Sequence, residues 1–134
     1  MLLQPKKTKY KKIHKGTLTK YNFRSNILQF GDLGLKAVKS GTISARQIEA
    51  ARQAIVRKLN RKGKMWIRIF PNIPITTKPT EVRMGKGKGA VSHWSVKVSA
   101  GTVLFEVCGI SKNIAITAFK TGGAKLPIKT TIFI

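Results

Sequence analysis

The chain has 134 residues, of which 27 are Lys or Arg and only four are Asp or Glu, so its formal net charge is +23. Its length predicts one domain, and a hydrophobic fraction of 42% is enough to form a core. The four acids are too few for paired-carboxylate catalysis or a hard-metal cage, and the cationic excess predicts a polyanionic partner.

The cysteine count and the length of the apolar runs exclude further classes of protein. Cys108 is the only cysteine, which excludes an intrachain disulfide and a cysteine-based zinc site. No apolar run approaches the roughly 18 residues of a membrane span. The start, Met1-Leu2-Leu3 followed by Pro5 and lysines, lacks the apolar middle of a secretory signal. We expect no metal, no cofactor, no membrane partner and no small-molecule substrate.

Residues 1–24 form a basic segment with little apolar content and no acid. Its cations are Lys6, Lys7, Lys9, Lys11, Lys12, Lys15, Lys20 and Arg24. Burial of so little apolar area cannot offset the entropy of ordering, so an extended tail is expected. We interpret it as an arm that orders on RNA phosphates, with Tyr10, Tyr21 and Phe23 available for base stacking. A flexible solubilising tail is the alternative.

Residues 25–134 are predicted to form the single folded domain, beginning with a strand or hairpin over 27–38. A helix follows, with Ser44 as N-cap, Gln47 completing a capping box and Gly63 as the stop. Its apolar stripe consists of Ile48, Ala51, Ile55 and Leu59, and its opposite, basic face carries Arg46, Gln53, Arg57 and Arg61. This spacing predicts a helix that packs on a sheet through one face.

Strands dominate the second half of the chain. They are predicted at residues 64–70, 91–98, 102–107 and 126–134, with a turn at Ala100-Gly101 between the second and third. Pro71, Pro74 and Pro79 indicate irregular, edge-type structure. A second helix is expected from Ser111 to Gly122-Gly123. Two helices with mainly antiparallel strands predict an α+β domain.

The most distinctive stretch runs from Arg83 to Gly89, where glycines alternate with Lys86 and Lys88. Glycines let backbone amides approach phosphate closely, and the lysines supply charge. The spacing is not that of a Walker loop, since no Ser or Thr follows either lysine. We interpret the stretch as a finger that contacts nucleic-acid phosphates; a mobile loop with incidental lysines is the alternative.

No catalytic constellation is evident. His14 and His93 have no acid nearby in sequence to orient them, so structural histidines are expected. Trp66, Trp94 and the phenylalanines are predicted to be core residues, and Cys108 a small buried hydrophobe.

Six stretches follow a family pattern in one continuous register. They are QPKKTKY at 4–10, FGDLGLKAV at 30–38, ARQIEAAR at 45–52, GKMWIRIFP at 63–71, KPTEVRMGKGKG at 78–89 and AKLPIKT at 124–130. Together they resemble large-subunit ribosomal protein sixteen, the bacterial and organellar branch of a universal family. Residues 17–29 depart from the pattern. Gly122-Gly123 replaces a more helical run, so a short or frayed second helix is expected.

The resemblance implies a hammerhead-type α+β fold, in which a mainly antiparallel sheet carries two packed helices, a basic tail and a projecting hairpin loop. It implies a structural constituent of the large ribosomal subunit that binds large-subunit rRNA. The protein would also contact neighbouring ribosomal proteins and help shape the aminoacyl-tRNA site near the peptidyl-transferase centre.

The same resemblance implies two sets of contact residues. Those for rRNA are Lys6, Lys7, Lys9, Lys11, Lys12, Lys15, Arg46 and Arg52. The contact residues for tRNA are Arg83, Lys86 and Lys88 of the loop. This loop would lie near the aminoacyl-site tRNA, with peptidyl-site tRNA as a second candidate. The alternatives are a free RNA chaperone or nonspecific RNA binder, and a small nucleic-acid enzyme, which the missing acid–base constellation disfavours.

The start and the composition lead us to expect a mitochondrial ribosome. Residues 1–10 resemble the mature start of proteobacterial and mitochondrial members, which leaves no room for a cleavable presequence. Lysine supplies 20 of the 27 basic residues, a usage expected from an AT-rich genome. We therefore expect an organelle-encoded protein, with a plastid or bacterial ribosome as the alternative.

Overall fold

The structure, a computed structural model, describes residues 3–18 and 20–134, and over these ranges it contains seven strands and two helices. The strands are β1 (Leu33–Ala37), β2 (Gly41–Ser44), β3 (Lys64–Ile67), β4 (Ile73–Thr77), β5 (Ala90–Val98), β6 (Val103–Cys108) and β7 (Thr130–Phe133). The helices are α1 (Ala45–Lys58) and α2 (Lys112–Gly123). The predicted α+β class is confirmed. Positions 1, 2 and 19 of the predicted arm lie outside the described residues.

The strands form two sheets, and every pairing in them is antiparallel. One sheet has the order β3-β6-β1-β7 and the other β2-β5-β4. The turn at Ala100-Gly101 therefore does not close a hairpin, because it carries the chain from β5 in one sheet to β6 in the other. A true hairpin joins β4 to β5, where Thr77 pairs with Ala90. The loop between these two residues contains the Gly/Lys-rich stretch.

Helix α1 begins at the predicted capping box but ends earlier than predicted. The Gln47 amide donates to Ser44 Oγ at 3.3 Å, and the Ser44 amide donates to Gln47 Oε1 at 2.9 Å. The helix ends at Lys58, five residues before Gly63, because Asn60 and Arg61 adopt left-handed backbone angles, with φ of 51° and 59°. A local cap determines the start, whereas the end depends on a backbone conformation that the sequence pattern does not reveal.

The core lies where the two helices pack on each other and on the sheets. Ile48, Ala51 and Ile55 of α1 are fully buried, as the apolar stripe predicts. Helix α2 continues through Gly122 and Gly123 instead of fraying. A Cβ at Gly122 would lie 2.4 Å from Ile55 Cγ1. Glycine at this position therefore permits the close approach of the two helices.

Strands in the middle of the first sheet are the most deeply buried. Strand β6 is central, and its residues from Val103 to Val107 are all buried, including the carboxylate of Glu106. Strands β3 and β4 are edges. Pro74 lies in β4, in agreement with the edge-type structure that the prolines indicated. Neither helix in the described ranges is long and apolar enough to cross a membrane.

Candidate nucleic-acid interface

The basic arm is attached to the domain near its beginning. Leu3 is only 8% exposed and belongs to the hydrophobic core, and it lines a shallow hollow together with Arg46 and Glu49 of α1. The described arm residues beyond it form neither helix nor strand. All six predicted rRNA-contacting lysines of the arm are exposed. The division into an arm and a domain remains a prediction, and the anchor at Leu3 gives the arm a defined point of departure.

The arm and the Gly/Lys-rich loop are held together by reciprocal hydrogen bonds. Lys12 Nζ donates to the Lys88 carbonyl at 2.8 Å, and Lys88 Nζ donates to the Ile13 carbonyl at 2.6 Å. Nearby, Lys97 Nζ donates to the Gly16 carbonyl at 3.1 Å. The two predicted contact sets, one for rRNA and one for tRNA, therefore meet on one continuous cationic surface.

The loop between β4 and β5 projects from the domain. Gly85, Lys86 and Gly87 have φ of 91°, 55° and 84°, so three successive residues lie in the left-handed region. A non-glycine residue there costs roughly 1–2 kcal/mol, so Lys86 is held in a strained conformation. Apart from the glycine itself and its two neighbours in the chain, no atom lies within 4 Å of the place where a Cβ would stand at Gly85 or Gly87. The tip, with Met84 at 93% exposure beside Arg83, faces open space.

The two predicted arginines of α1 have different surroundings. Arg46 is exposed. Arg52 forms a bidentate pair with Glu49, with Nε 2.9 Å from Oε2 and Nη2 2.6 Å from Oε1. This hydrogen bonding lowers the pKa of Glu49 and raises the pKa of Arg52. Arg52 Nη1 makes no hydrogen bond with the described residues, so this nitrogen is available to a phosphate.

Most of the positive charge has no internal counterpart. Over residues 3–18 and 20–134, the ion pairs are Arg52–Glu49 and Arg68–Glu106. A protein with 27 basic residues and four acids cannot neutralise itself. Association with a polyanion relieves this repulsion and releases the counterions of the polyanion.

A buried carboxylate on the central strand β6 joins the segment before β1 to Arg68 at the end of β3, a connection that sequence reasoning missed. Glu106 accepts hydrogen bonds from the backbone amides of Gln29, Phe30 (2.7 Å) and Gly31 (2.9 Å), and from the guanidinium of Arg68. Burial raises the pKa of Glu106, but the backbone donors and Arg68 outweigh it, and the pKa lies below the usual glutamate value. The only feature of the sequence that could have pointed to Glu106 is that it is one of just four acidic residues.

Two stacked aromatic rings beside this carboxylate each have a cation against them. Phe30, 55% exposed, stacks on Trp66 with ring centroids 5.9 Å apart and an interplanar angle of 22°. Lys64 Nζ lies 5.3 Å from the Trp66 ring centre, and the Arg68 guanidinium carbon lies 5.4 Å from that of Phe30. The prediction of core aromatics is therefore correct for Phe105 and Phe119 but wrong for Phe30 and Phe70, which are exposed. Trp66 and Trp94, predicted to be core residues as well, are half-buried.

The remaining candidate catalytic or metal-binding residues do not form a site. His14 is exposed, His93 is half-buried with Nδ1 3.4 Å from Ser92 Oγ, and Cys108 is half-buried instead of fully buried. Among the described residues, no three His, Cys, Asp or Glu side chains lie together as metal ligands. What the described part of the chain presents is a set of exposed cations on an α+β domain.

Comparison with known proteins identifies the family of this chain. Residues 5–133 match the family described as ribosomal protein L16p/L10e. The chain is 50% identical over 133 residues to the large ribosomal subunit protein uL16 of Cereibacter sphaeroides, covering 99% of this chain and 97% of the relative. It is 52% identical over 131 residues to the protein of that name from Caulobacter vibrioides, covering 98% and 92%. It is 53% identical over 131 residues to that of Psychrobacter cryohalolentis, covering 98% and 96%. The chain belongs to the ribosomal protein L16p/L10e family, a family of structural ribosomal proteins and not of enzymes.

Proposed function

We propose that this protein is a structural constituent of the large ribosomal subunit that binds large-subunit rRNA and neighbouring ribosomal proteins. The observation that carries the proposal is the family match over residues 5–133, which includes every predicted contact residue. The names of the bacterial relatives, large ribosomal subunit protein uL16, support the same assignment. The protein would act by assembly and positioning, without bond chemistry.

The rRNA contacts are assigned to the arm and to α1. The six arm lysines are exposed, and the arm is anchored to the domain at Leu3. The lysines can therefore contact successive phosphates of an RNA strand. Arg46 and Arg52 extend this surface along α1. Phosphate contacts of this kind supply affinity and fix the register of a protein on its nucleic acid.

The tRNA-proximal role is assigned to Arg83, Lys86 and Lys88 of the projecting loop. The loop reaches beyond the domain, and its exposed cations can approach a phosphate without displacing core residues. We propose that it lies towards the aminoacyl-tRNA site near the peptidyl-transferase centre, with peptidyl-site tRNA as the second candidate. The hydrogen bonds between Lys12 and Lys88 would couple this loop to the rRNA-bound arm.

A nonspecific RNA chaperone is the alternative, because a charge of +23 alone attracts any RNA. Sedimentation of a cell or organelle lysate, with blotting across the fractions, separates the two. A subunit constituent is expected in the large-subunit and ribosome fractions, with about one copy per subunit, and should resist a moderate salt wash. A spread through all RNA-containing fractions would contradict the ribosomal proposal.

We propose a mitochondrial ribosome as the location, with a plastid or bacterial ribosome as the alternative. The predominance of lysine, 20 of 27 basic residues, supports an AT-rich organelle genome. The bacterial relatives agree with a bacterial-type ribosome in any of these places. Isolated mitochondria supplied with labelled amino acids, with cytosolic synthesis blocked, should produce this polypeptide. Its appearance only when cytosolic ribosomes are active would contradict organelle encoding.

A further inference from the structure

A turn at the end of the arm is hydrogen-bonded to the chain between β5 and β6. The Asn22 amide donates to the Ala100 carbonyl at 2.8 Å, and the Val103 amide donates to the Ser25 carbonyl at 2.9 Å. Between these two bonds, the Ser25 amide donates to Asn22 Oδ1 at 3.1 Å and closes the turn. The backbone on both sides of Phe23 is therefore fixed to the domain.

Tyr21 and Phe23 form an aromatic pair on this turn, with ring centroids 4.9 Å apart and an interplanar angle of 55°. The Tyr21 ring lies against Gly101, where a Cβ would stand 2.4 Å from Tyr21 Cζ. The Phe23 ring is 79% exposed, more than that of Tyr10 or Tyr21, the other aromatic residues of the arm. The pair is thus seated on the domain through Tyr21 and presents Phe23 to solvent.

Two cations flank the aromatic pair in the chain. Lys20 and Arg24 are both exposed, and neither side chain makes a hydrogen bond or an ion pair within the part of the chain that the structure describes. No Asp or Glu occurs in residues 1–31. Residues 17–29 depart from the family pattern, so a contact made here would be additional to those that the resemblance implies.

We propose that Phe23 stacks on an unpaired base of large-subunit rRNA, an inference that rests on the proposed rRNA binding. Lys20 and Arg24 would contact the phosphates on either side of that base. Aromatic rings stack on any base, and proteins recognise RNA sequences mainly at unpaired loops and bulges. Because the backbone at Phe23 is already ordered, stacking costs little further entropy. The cations and the absence of acids favour a polyanion over an apolar pocket of a neighbouring protein.

The first measurement is the affinity of the full-length chain for protein-free large-subunit rRNA, by filter binding with excess duplex RNA as competitor. Phe23→Leu keeps an apolar side chain but removes the aromatic ring, so Kd should rise about tenfold, within the usual contribution of one stacked base. Phe23→Tyr keeps a ring and should bind like the wild type. Ile27→Ala, which shortens an exposed aliphatic side chain of the same turn, is the control with unchanged Kd. Urea midpoints should be equal, because these side chains are exposed.

The second measurement locates the stacked base in large ribosomal subunits that contain the full-length chain. Short-wave ultraviolet irradiation couples an unpaired base to a side chain in direct contact with it. Trypsin cleaves after Lys20 and Arg24 and so releases residues 21–24, which contain both rings of the pair. Mass spectrometry should find a nucleotide adduct on this peptide, and its yield should fall about tenfold in Phe23→Leu.

The other outcomes contradict the inference in distinguishable ways. Adducts on other peptides of the chain without one on residues 21–24 would overturn the stacking site and leave rRNA binding intact. Failure of the wild type to bind rRNA in the presence of the competitor would overturn both proposals. Normal rRNA affinity of Phe23→Leu, with poor incorporation into subunits, would replace the base with a protein pocket. An equal loss of affinity in Ile27→Ala would indicate an apolar contact without stacking.

Discussion

At the scale of single residues, Glu106 connects packing to the candidate interface. It is fully buried in the central strand β6, yet it accepts hydrogen bonds from three backbone amides and from Arg68. A buried carboxylate is tolerated only when such donors replace water. Because its donors include the Phe30 amide and Arg68, this one side chain joins the segment before β1 to the end of β3.

We predict that Glu106→Gln destabilises the domain by about 3–5 kcal/mol, because Arg68 loses its buried partner and an amide NH₂ faces the backbone donors. Urea unfolding followed by tryptophan fluorescence measures the change. Glu49→Gln is the control, because Glu49 is only partly buried and its pair with Arg52 is of the exposed helical kind, worth about 0.3–0.5 kcal/mol. Equal losses in the two variants would contradict the organising role of Glu106.

The same carboxylate predicts how stability depends on pH. Its pKa in the folded protein is lower than the ordinary value of about 4.3 in the unfolded chain. Ionised Glu106 therefore stabilises the fold above the unfolded pKa, and this contribution is lost as pH falls through the folded pKa. We expect the urea midpoint to drop on acidification below about pH 4.3, and to drop less in Glu106→Gln. Parallel curves for the two proteins would contradict the assignment.

We expect the loop lysines to contribute to function and very little to the stability of the fold. Lys86→Ala with Lys88→Ala should change unfolding free energy by no more than about 0.5 kcal/mol, because both side chains are exposed. We expect slower aminoacyl-tRNA accommodation or delayed subunit maturation, measured on ribosomes that contain the variant. Lys112→Ala with Lys120→Ala is the charge-matched control. Variant ribosomes that mature and accept aminoacyl-tRNA at the normal rate would contradict the role assigned to the loop.

At the scale of elements, the two helices begin differently although both have serine at the N-cap. Ser44 caps α1 with its side chain, whereas Ser111 makes no side-chain cap hydrogen bond to α2. Ser44→Ala should therefore cost about 1 kcal/mol, and Ser111→Ala should cost close to nothing. Thermal unfolding of the two variants compares them directly. A larger loss of stability in Ser111→Ala than in Ser44→Ala would contradict this difference between the two N-caps.

The contact between the helices rests on a glycine. Alanine at Gly122 would place its Cβ 2.4 Å from Ile55 Cγ1, an atom of a fully buried side chain. We expect Gly122→Ala to be destabilising by up to about 2 kcal/mol, because an overpacking cost of about 1–3 kcal/mol is offset only in part by a gain of about 1 kcal/mol in helix propensity.

Gly123→Ala is the comparison for Gly122→Ala, because there the nearest atom is the Thr130 hydroxyl at 2.7 Å, the end of a side chain that can rotate. Urea unfolding of both variants should give the larger loss at Gly122. A stabilised Gly122→Ala protein would contradict the close helix packing.

At the scale of the whole molecule, the excess of positive charge sets the conditions under which the protein binds. Each phosphate neutralised on duplex RNA should contribute about −0.9 to the slope of log affinity against log salt. Replacing Lys6, Lys7 and Lys9 with Gln should reduce that slope by about 3. Filter binding to an rRNA fragment between low and moderate salt measures it. The control, Lys112, Lys120 and Lys125 to Gln, should keep the slope; equal slopes for all proteins would contradict the arm's role.

The sequence by itself determined what depends on neighbouring residues and on composition. The start of α1 follows from a capping box of two residues, and its buried stripe follows from helical spacing. The α+β class follows from the alternation of helical and strand patterns. The cationic character of the interface follows from counting charges. The family resemblance, carried by six local stretches, predicted the family to which the chain belongs.

Tertiary structure alone decided what depends on contacts between residues distant in the chain. Glu106 and Phe30 are 76 positions apart, Lys12 and Lys88 likewise, and no periodicity reports either contact. Trp66 lies opposite Glu106 because β3 pairs with β6, and strand order is a property of the whole sheet.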